Sequence, residues 1–331
     1  MEEKIEEVIK QYPIHVIGKR RIRGAILLET REGLFTLTNY KENLKKLQFQ
    51  EQIKQILIDC GYNYVDKGVL NENGELLSRD GRGNRWLLKH WFQGRECNLC
   101  DEREIILATR HLAGLHNAMQ LPPEIREEFM EERPCVTETM ERHIREMKRV
   151  YNYIRNKRKR NEMELCILTL FPEFYQQASC VRDYFTQLDC LALQECCIRQ
   201  GRAYHGNYSY HNVLFQEKQI VVTNFEGADL GIQVIDLYDF LRKIMEKNDW
   251  NVRQGIRILE EYRQVRSMEQ AEAEFLYLLL LFPEKFWKQI NFYYNGKKAW
   301  MSMKNYDKLL KIQSQEERRK KFLTEAKALL F

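Results

Sequence analysis

Residues 205–215 read HGNYSYHNVLF, and after a short turn residues 220–231 read IVVTNFEGADLG. Each stretch contains an apolar run rich in β-branched or aromatic residues, and the two runs flank the turn around Gln216 to Lys218. Such runs on either side of a short turn predict a small β-hairpin. Three asparagines stand at its polar end, and they decide what kind of site it forms: Asn207, Asn212 and Asn224.

The spacing of these asparagines matches the catalytic and metal-binding core of a phosphotransferase whose two acids are replaced. In such an enzyme a carboxylate takes or orients the proton of the acceptor hydroxyl, an Asn five residues later holds a metal ion, and an Asp after the hairpin holds a second ion. Here the three positions carry Asn207, Asn212 and Asn224, the last followed by Phe225. A neutral amide neither accepts a proton at physiological pH nor brings charge to a divalent ion. The pattern therefore predicts the scaffold of a phosphotransferase without its chemistry.

Composition sets the outer limits. With 331 residues, of which 44% are hydrophobic, the chain is long enough for one large two-lobed domain with a full core. The net charge of +5 is small and dispersed, so nucleic acid is not expected among the partners. The acidic, helical start MEEKIEEVIKQY does not fit a signal peptide. The longest apolar run, Phe275 to Phe282, is well short of the ~20 residues that a bilayer helix needs, so we expect a cytoplasmic chain without a membrane segment.

Residues 1–93 are expected to form a β-rich N-terminal lobe with one helix. GAILLET and LFTLTNY flank a three-residue connection, Arg31 to Gly33, whose glycine suits a hairpin turn. A helix is predicted from Asn43 to Cys60, with Gly61 as its stop. Further strands are predicted at GVL and ELLS, around the turn NENG, and at RWLLKHW.

Residues 94–331 are expected to form a helical C-terminal lobe that carries the hairpin described above. Asp101 and Glu104 fit a capping box at the start of its first helix. A second helix is predicted from Thr137 to Arg160, and we interpret its basic end, Arg155 to Arg160, as exposed rather than as a site for an acidic partner. Further helices are predicted to begin near Glu162, Asp236, Val252 and Glu269.

The order of LAGLH, HGNYSYHNVLF, NFEGADLG and DLYDFLRKIMEKNDW resembles the aminoglycoside and choline phosphotransferase branch of the protein-kinase-like fold. More closely, the chain resembles the spore-coat protein S (CotS) family of endospore-forming Firmicutes. WFQGRE from Trp91 and FPEKFWKQINFYYNGKKAW from Phe282 look like that family's connector and C-terminal signature. The resemblance covers most of the chain. It implies an α+β fold of the two-lobed protein-kinase-like type, with a small antiparallel sheet and one helix in the N-lobe and a larger, mostly helical C-lobe.

The resemblance also implies a degenerate nucleotide site. The position of the nucleotide-anchoring Lys is Thr38, and the usual carboxylate partner of that Lys would be Glu51, which is then expected to have no ion pair. Gly18 and Gly24 are separated by KRRIR, which does not fit a Gly-rich phosphate loop. The expected remnants of the nucleotide cleft are Thr38, Glu51, Asn212 and Asn224, with Asn212 and Asn224 as the remnants of the metal site.

Three further residues are candidates with alternative roles. His205 is expected to be a packed residue that orients the loop rather than a proton carrier. Asp236 would support the catalytic loop, as the resemblance implies, or serve as the N-cap of its own helix. Asp229 is a candidate replacement for the lost metal ligand, although a place on a solvated loop is the simpler interpretation.

These losses predict a pseudokinase. Removal of a positioned general base lowers a rate by about 10²- to 10⁴-fold, and removal of a phosphate-stabilising cation by about 10³-fold or more. We expect a spore-coat-associated, non-catalytic structural or assembly protein whose partners are other spore-coat proteins, made in the cytoplasm and without a cofactor. The alternatives are an atypical phosphotransferase for a sugar, aminoglycoside or choline-like hydroxyl, which would need ATP with Mg²⁺, and a nucleotide-binding sensor without turnover. The sequence predicts no particular oligomeric state.

Overall fold

A computed structural model of the chain describes residues 2–22, 24–131, 133–217, 219–296 and 303–331. The chain divides into two compact units, Met1–Met130 with Gln200–Asp236 and Glu131–Arg199 with Leu237–Phe331. The lobe boundary after residue 93 stays a prediction. Within the first unit, residues 95–96 pair with the hairpin at residues 213–222.

The first unit begins with a helix and an antiparallel five-stranded sheet in the order β1-β2-β3-β5-β4. The predicted hairpin with its connection at residues 31–33 is confirmed, and so is the strand RWLLKHW. The apolar face of the sheet packs against the first helix, through residues such as Val8, Leu28 and Leu88. The bounds are α1 Glu2–Ile9, β1 Val16–Ile22, β2 Ala25–Thr30, β3 Leu34–Asn39, β4 Leu77–Arg79 and β5 Arg85–Trp91.

The predicted helix after the third strand is also confirmed, as α2 Leu44–Asp59. Asn43 caps its start, because the Asn43 side chain accepts a hydrogen bond from the Lys46 amide at 2.7 Å. Gly61 follows its end with a φ of 92°, a left-handed conformation that favours glycine. The cap residues thus fix both ends of the helix that faces the candidate site.

One local prediction in this unit is wrong. GVL is not a strand: Gly68 forms a single bridge to Lys89 of β5. The basic run KRRI, which was not expected to fit a Gly-rich phosphate loop, lies in β1, whose Ile22 pairs with Ala25 of β2. Arg23, the last residue of KRRIR, lies outside the described residues.

The predicted hairpin of the opening stretch is confirmed as β8 Val213–Gln216 and β9 Gln219–Val222, although Lys218 of its turn lies outside the described residues. Three short strands accompany it: β6 Arg95–Glu96, β7 Ala203–Tyr204 and β10 Asp229–Leu230. β6 pairs with β8, and β10 returns to pair with β7. The segment between β7 and β10 therefore begins and ends at the same pair of strands. Asp229 lies in this pairing, so its predicted place on a solvated loop is wrong.

The remaining elements are helices, and the starts predicted near Glu162, Asp236, Val252 and Glu269 are confirmed within two residues. No helix of the described ranges is both long and apolar enough to cross a membrane. Residues 297–302, which include the end of the FPEKFWKQINFYYNGKKAW signature, lie outside these ranges. The bounds are α3 Glu102–Ala118, α4 Pro123–Glu128, α5 Val136–Arg155, α6 Glu162–Gln187, α7 Cys190–Arg199, α8 Val234–Lys247, α9 Val252–Val265, α10 Gln270–Leu281, α11 Glu284–Asn295 and α12 Met303–Leu330.

Two helix ends differ from the predictions. α5 ends at Arg155 and not at Arg160, because the Arg160 guanidinium turns back to donate to the Ile154 carbonyl at 3.0 Å. At the start of α3 only half of the capping box forms. The Asp101 carboxylate caps the helix, but the Glu104 carboxylate accepts from the Asn98 amide at 2.9 Å instead of the Asp101 amide.

Candidate active site

The loop between β7 and β8 is held by one buried carboxylate. Asp236, in the first turn of α8, accepts from the backbone amides of His205 at 2.6 Å and Gly206 at 2.8 Å. The same carboxylate lies 3.2 Å from His116 Nε2. Asp236 therefore fixes the loop backbone, and the N-cap alternative does not fit, because α8 already begins at Val234.

The His205 ring connects the loop with the strand that leads to Asn224. Its Nε2 lies 3.1 Å from the Thr223 carbonyl, and its Nδ1 accepts from the Asn207 amide at 3.1 Å. A carbonyl only accepts, so the proton is on Nε2 and the ring is neutral. Burial lowers the pKa of His205 below its ordinary value, more than the nearby Asp236 raises it. Both ring nitrogens are engaged in positioning the loop.

Gly206 and Gly227 bring two parts of the site into direct backbone contact. Gly206 has a φ of 73°, and a Cβ atom built on it would lie 2.0 Å from the Gly227 carbonyl oxygen. A Cβ atom on Gly227 would in turn lie 2.6 Å from the Gly206 carbonyl oxygen. Two glycines are needed here because no side chain fits between the loop and the turn at Phe225–Gly227.

The three asparagines of the sequence pattern lie in one place and form a chain of hydrogen bonds. Asn212 Nδ2 donates to the Asn207 backbone carbonyl at 2.8 Å, and Asn224 Nδ2 donates to Asn212 Oδ1 at 2.7 Å. The backbone carbonyl of Asn207 fixes the orientation of both amides, because it requires a donor from Asn212 and so turns Asn212 Oδ1 toward Asn224. The side chain of Asn207 itself is exposed.

This series of hydrogen bonds is complete without a cation. The backbone of Asn224 is left-handed, with φ 65° and ψ 58°, a conformation that asparagine tolerates better than most residues. A carboxylate at position 224 would turn an oxygen toward Asn212 Oδ1, and two acceptors need a proton or a cation between them. The amide supplies that proton itself, so Asn224 and Asn212 are joined by a direct hydrogen bond.

A buried charge cluster lies beside Asn224, and the sequence analysis missed it. The Asp66 carboxylate accepts from the Asn224 backbone amide at 2.9 Å and lies 2.8 Å from Lys89 Nζ and 3.5 Å from Lys54 Nζ. Lys54 is on α2 and Lys89 on β5, and all three side chains are almost fully buried. The cluster therefore joins α2, the sheet and the strand end at Asn224.

Asp66 and Lys89 stabilise each other's charged forms. Burial by itself raises the pKa of Asp66, but the nearby charges of Lys54 and Lys89 bring it below its ordinary value. Burial likewise lowers the pKa of Lys89, but the charge and hydrogen bond of Asp66 raise it above its ordinary value. The site thus contains a charged, desolvated ion pair at neutral pH.

The cluster contradicts the expectation for Glu51 and bears on the lysine that is missing at Thr38. Glu51 was expected to have no ion pair, but its carboxylate lies 2.7 Å from Lys54 Nζ, one turn along α2. Thr38 does stand on β3, half-buried and opposite Leu87, with its hydroxyl 3.5 Å from the Leu87 carbonyl. A lysine is nevertheless present in the sheet, because Lys89 on β5 stands opposite Thr36. In the sequence, the signal for this buried lysine was its position inside the apolar strand RWLLKHW.

The Asp229 carboxylate contacts a lysine and a backbone amide of the first unit. Its Oδ2 lies 3.4 Å from Lys46 Nζ on α2, and its Oδ1 accepts from the Leu230 amide at 2.8 Å. Gln50 of α2 also donates to the Glu226 carbonyl at 3.2 Å. α2 is therefore tied to residues 224–229 by side chains of the chain itself. Within the described ranges no three His, Cys, Asp or Glu side chains are grouped so as to hold a metal ion.

The fold is that of small-molecule kinases. The chain is similar to an aminoglycoside phosphotransferase from Alicyclobacillus acidocaldarius, with a TM-score of 0.86, 17% identity and coverage of 98% of this chain and 96% of that one. It is also similar to AMP-bound spectinomycin phosphotransferase APH(9)-Ia, with a TM-score of 0.64, 12% identity and coverage of 95% and 97%. Amicoumacin kinase hAmiN gives a TM-score of 0.59, 12% identity and coverage of 96% and 92%.

These likenesses and the hairpin with its loop define a kinase-like protein and confirm the predicted protein-kinase-like fold. The chain belongs to the family described as "Spore coat putative kinase YutH", whose sequence model matches residues 5–326. The predicted membership of the spore-coat branch of this fold is thereby confirmed. A search of curated proteins finds no match to the chain.

Proposed function

We propose that this spore-coat, kinase-like protein is a pseudokinase, a non-catalytic structural or assembly protein of the endospore coat. The observation that carries the proposal is the asparagine chain from Asn224 through Asn212 to Asn207. It places neutral amides where phosphoryl transfer needs a general base and a metal-binding carboxylate, and the Asn212 and Asn224 side chains bond to each other and to the Asn207 backbone carbonyl.

The residues present do not fit a catalytic Mg²⁺ ion. Magnesium is held in kinase-like sites by one or two carboxylates together with the phosphates. At the two positions in question this chain offers only amides, and the oxygen of Asn212 already accepts from Asn224. The carboxylate that accepts from the Asn224 backbone amide, Asp66, is buried against Lys54 and Lys89. No catalytic step through a metal ion follows from this set of donors.

The buried lysine does not restore the chemistry. A kinase lysine must direct its ammonium group at the phosphates, whereas Lys89 is 2.8 Å from Asp66 and almost fully buried. The atypical phosphotransferase alternative relied on Asp229, whose carboxylate is 3.4 Å from Lys46 and lies in the β7–β10 pairing. The contacts of both residues favour a structural role.

Membership of a spore-coat family supports the setting of the proposal. A kinase-like body that has no turnover still offers a large folded surface, and we infer that the chain presents this surface to other spore-coat proteins. The third possibility, a nucleotide sensor without turnover, makes a different prediction: ATP would bind and stabilise the folded chain.

The direct test is phosphoryl transfer from γ-labelled ATP to water and to sugar, aminoglycoside and choline-like acceptors. We expect no turnover by the wild-type protein and none by the Asn207→Asp/Asn224→Asp variant. The acids alone are not enough, because Lys89 stays paired with Asp66 and Thr38 carries no charge. An aminoglycoside phosphotransferase serves as the positive control, and thermal melting shows that the variant is folded.

Each outcome of this assay has a separate meaning. Turnover by the wild-type protein, saturable in both substrates, would refute the pseudokinase proposal. Turnover by the double variant alone would keep the proposal for the natural chain but refute the importance assigned to the missing lysine. ATP binding without turnover would move the conclusion to the sensor.

A further inference from the structure

We propose that Lys54, Lys89 and the Asn224 backbone amide form an oxyanion site which the chain fills with its own Asp66 carboxylate, and which takes a phosphate group once that carboxylate is removed. The inference rests on the proposed function in one respect only, namely that no metal-bound nucleotide uses these groups. It assigns a ligand class, the tetrahedral oxyanion, to a site in the first compact unit.

The donors converge on one point from three separate elements. Lys54 Nζ, from α2, donates to the Asp66 carbonyl at 2.9 Å and lies 3.5 Å from its Oδ1. Lys89 Nζ, from β5, lies 2.8 Å from Oδ2, and the Asn224 amide donates to the same oxygen at 2.9 Å. Two ammonium groups and a backbone N–H around one negative charge are the donor types that proteins use to bind phosphate.

The Asp66 carboxylate does not form all the hydrogen bonds that its surroundings allow. Asp66 Oδ1 is buried and, among the described residues, accepts no hydrogen bond. Two buried hydroxyls are likewise without a hydrogen-bond partner there: Thr36, which stands opposite Lys89 in the sheet register, and Thr223, which precedes Asn224 in the chain. Buried polar groups are nearly always satisfied. The Asp66 carboxylate thus leaves one of its own oxygens, and the hydroxyls of two residues that adjoin the donors in register or sequence, unsatisfied.

The charges balance only while Asp66 is present. Lys54 and Lys89 carry two positive charges, and Glu51 and Asp66 carry two negative charges, all on buried or mostly buried side chains. Removal of the Asp66 carboxylate leaves one positive charge without a partner in a desolvated place, where attraction to an anion is strong. Glu226 competes only weakly with an added anion for this positive charge, because its carboxylate is 3.9 Å from Lys89 and 60% exposed.

In the natural chain, free phosphate is not expected to displace Asp66. The carboxylate is part of the chain and acts at an effective concentration of about millimolar or higher, and a free ion pays the full entropic cost of binding. The contact of Asp66 with the two lysines therefore closes the site to ligands. For the same reason, the presence of two lysines beside a kinase-like loop does not indicate a nucleotide site.

The test uses Asp66→Ala, which removes the carboxylate and leaves space. Melting temperatures are measured in EDTA with inorganic phosphate, with chloride held to the same ionic strength. We expect phosphate to raise the melting temperature of Asp66→Ala saturably, by about 4 °C at a hundredfold excess over its dissociation constant. The wild-type protein is expected to show no such rise.

Asp80→Ala is the matched control. Asp80 is also a buried aspartate of the first unit, but its carboxylate accepts from Asn84 and the Arg82 amide and, among the residues that the structure describes, has no lysine partner. Its removal should destabilise the protein without creating a phosphate response. A phosphate response of equal size in Asp80→Ala, or none in folded Asp66→Ala, would overturn the proposal.

If Asp66→Ala does not fold in chloride, two further measurements decide. Refolding yield in phosphate compared with chloride should rise for Asp66→Ala if the site exists, and equal yields would contradict it. The Asp66→Ala/Lys89→Met variant should fold without any phosphate response, because one ammonium group is gone. These readouts involve neither metal nor turnover, so their failure leaves the pseudokinase proposal standing, and turnover by the natural chain would not alter them.

Discussion

Replacement of Lys89 by Met is expected to lower the free energy of unfolding by about 3–5 kcal/mol, the usual cost of breaking a buried ion pair by removing one partner. Asp66 would remain fully buried with its charge. The second lysine, Lys54, compensates only in part, because its ammonium group is 3.5 Å from Asp66 Oδ1 and already contacts Glu51 at 2.7 Å and the Asp66 carbonyl at 2.9 Å. Urea unfolding followed by circular dichroism measures the loss.

Lys46→Met is the matched control for this prediction. Lys46 also pairs with an aspartate of the first unit, Asp229, but both side chains are partly exposed, at 28% and 25%. Its loss should therefore cost less than about 1 kcal/mol. Equal costs for the two variants would mean that water reaches the Asp66 cluster. The Lys89→Met/Asp66→Asn variant should recover much of the stability, because it leaves no uncompensated charge.

Gly206→Ala is expected to lower the free energy of unfolding by about 4 kcal/mol or more, within the range reserved for severe steric strain. The added Cβ would lie 2.0 Å from the Gly227 carbonyl oxygen, and backbone atoms on both sides would have to move. The contact between Gly206 and Gly227 also positions the loop that Asp236 and His205 hold. The hydrogen bonds among the asparagines should therefore be disturbed as well. Thermal melting and the yield of soluble protein report the effect.

Gly74→Ala separates the steric effect from the conformational one. Gly74 has a nearly equal φ of 78°, but a Cβ atom there meets nothing within 4 Å. It should cost only about 1 kcal/mol, the usual penalty for a left-handed alanine. If Gly206→Ala were as mild as Gly74→Ala, the close approach of the loop and the Phe225–Gly227 turn would be refuted.

The sequence predicted the features that depend on local pattern. The β8–β9 hairpin and the residues that bound α2, Asn43 before it and Gly61 after it, follow from turn and cap residues. These predictions succeeded because neighbours along the chain decide them. The fold and the grouping of the three asparagines followed instead from the order and spacing of the motifs that carry the family resemblance.

The sequence did not reveal contacts between distant residues. Asp66 and Lys89 are separated by 23 positions and meet only because the sheet and α2 pack around them. Glu51 was assigned no partner because its expected partner was sought on β3, whereas Lys54 is one turn away on its own helix. α5 was predicted too long because helix propensity does not register that Arg160 binds the Ile154 carbonyl. Only the Asp66–Lys89 contact is tertiary; the other two are local side-chain contacts that neither the expected partner position nor helix propensity includes.

The central claim is that an amide hydrogen bond has replaced a metal bridge, and Asn224→Asp tests it. The change removes the donor to Asn212 Oδ1 and should cost about 1 kcal/mol in EDTA, the net worth of a typical hydrogen bond. Magnesium should recover part of this loss in the variant, because the new carboxylate brings the charge that the ion needs.

The most direct measurement is the melting temperature of the wild-type protein and of Asn224→Asp in EDTA and in Mg²⁺, each with and without ATP. We expect the wild-type protein to melt at the same temperature in all four conditions, and Asn224→Asp to melt lower in EDTA and higher in Mg²⁺. A rise in the wild-type melting temperature that requires both Mg²⁺ and ATP would contradict the account, because it would show that the asparagine site still holds a metal-bound nucleotide.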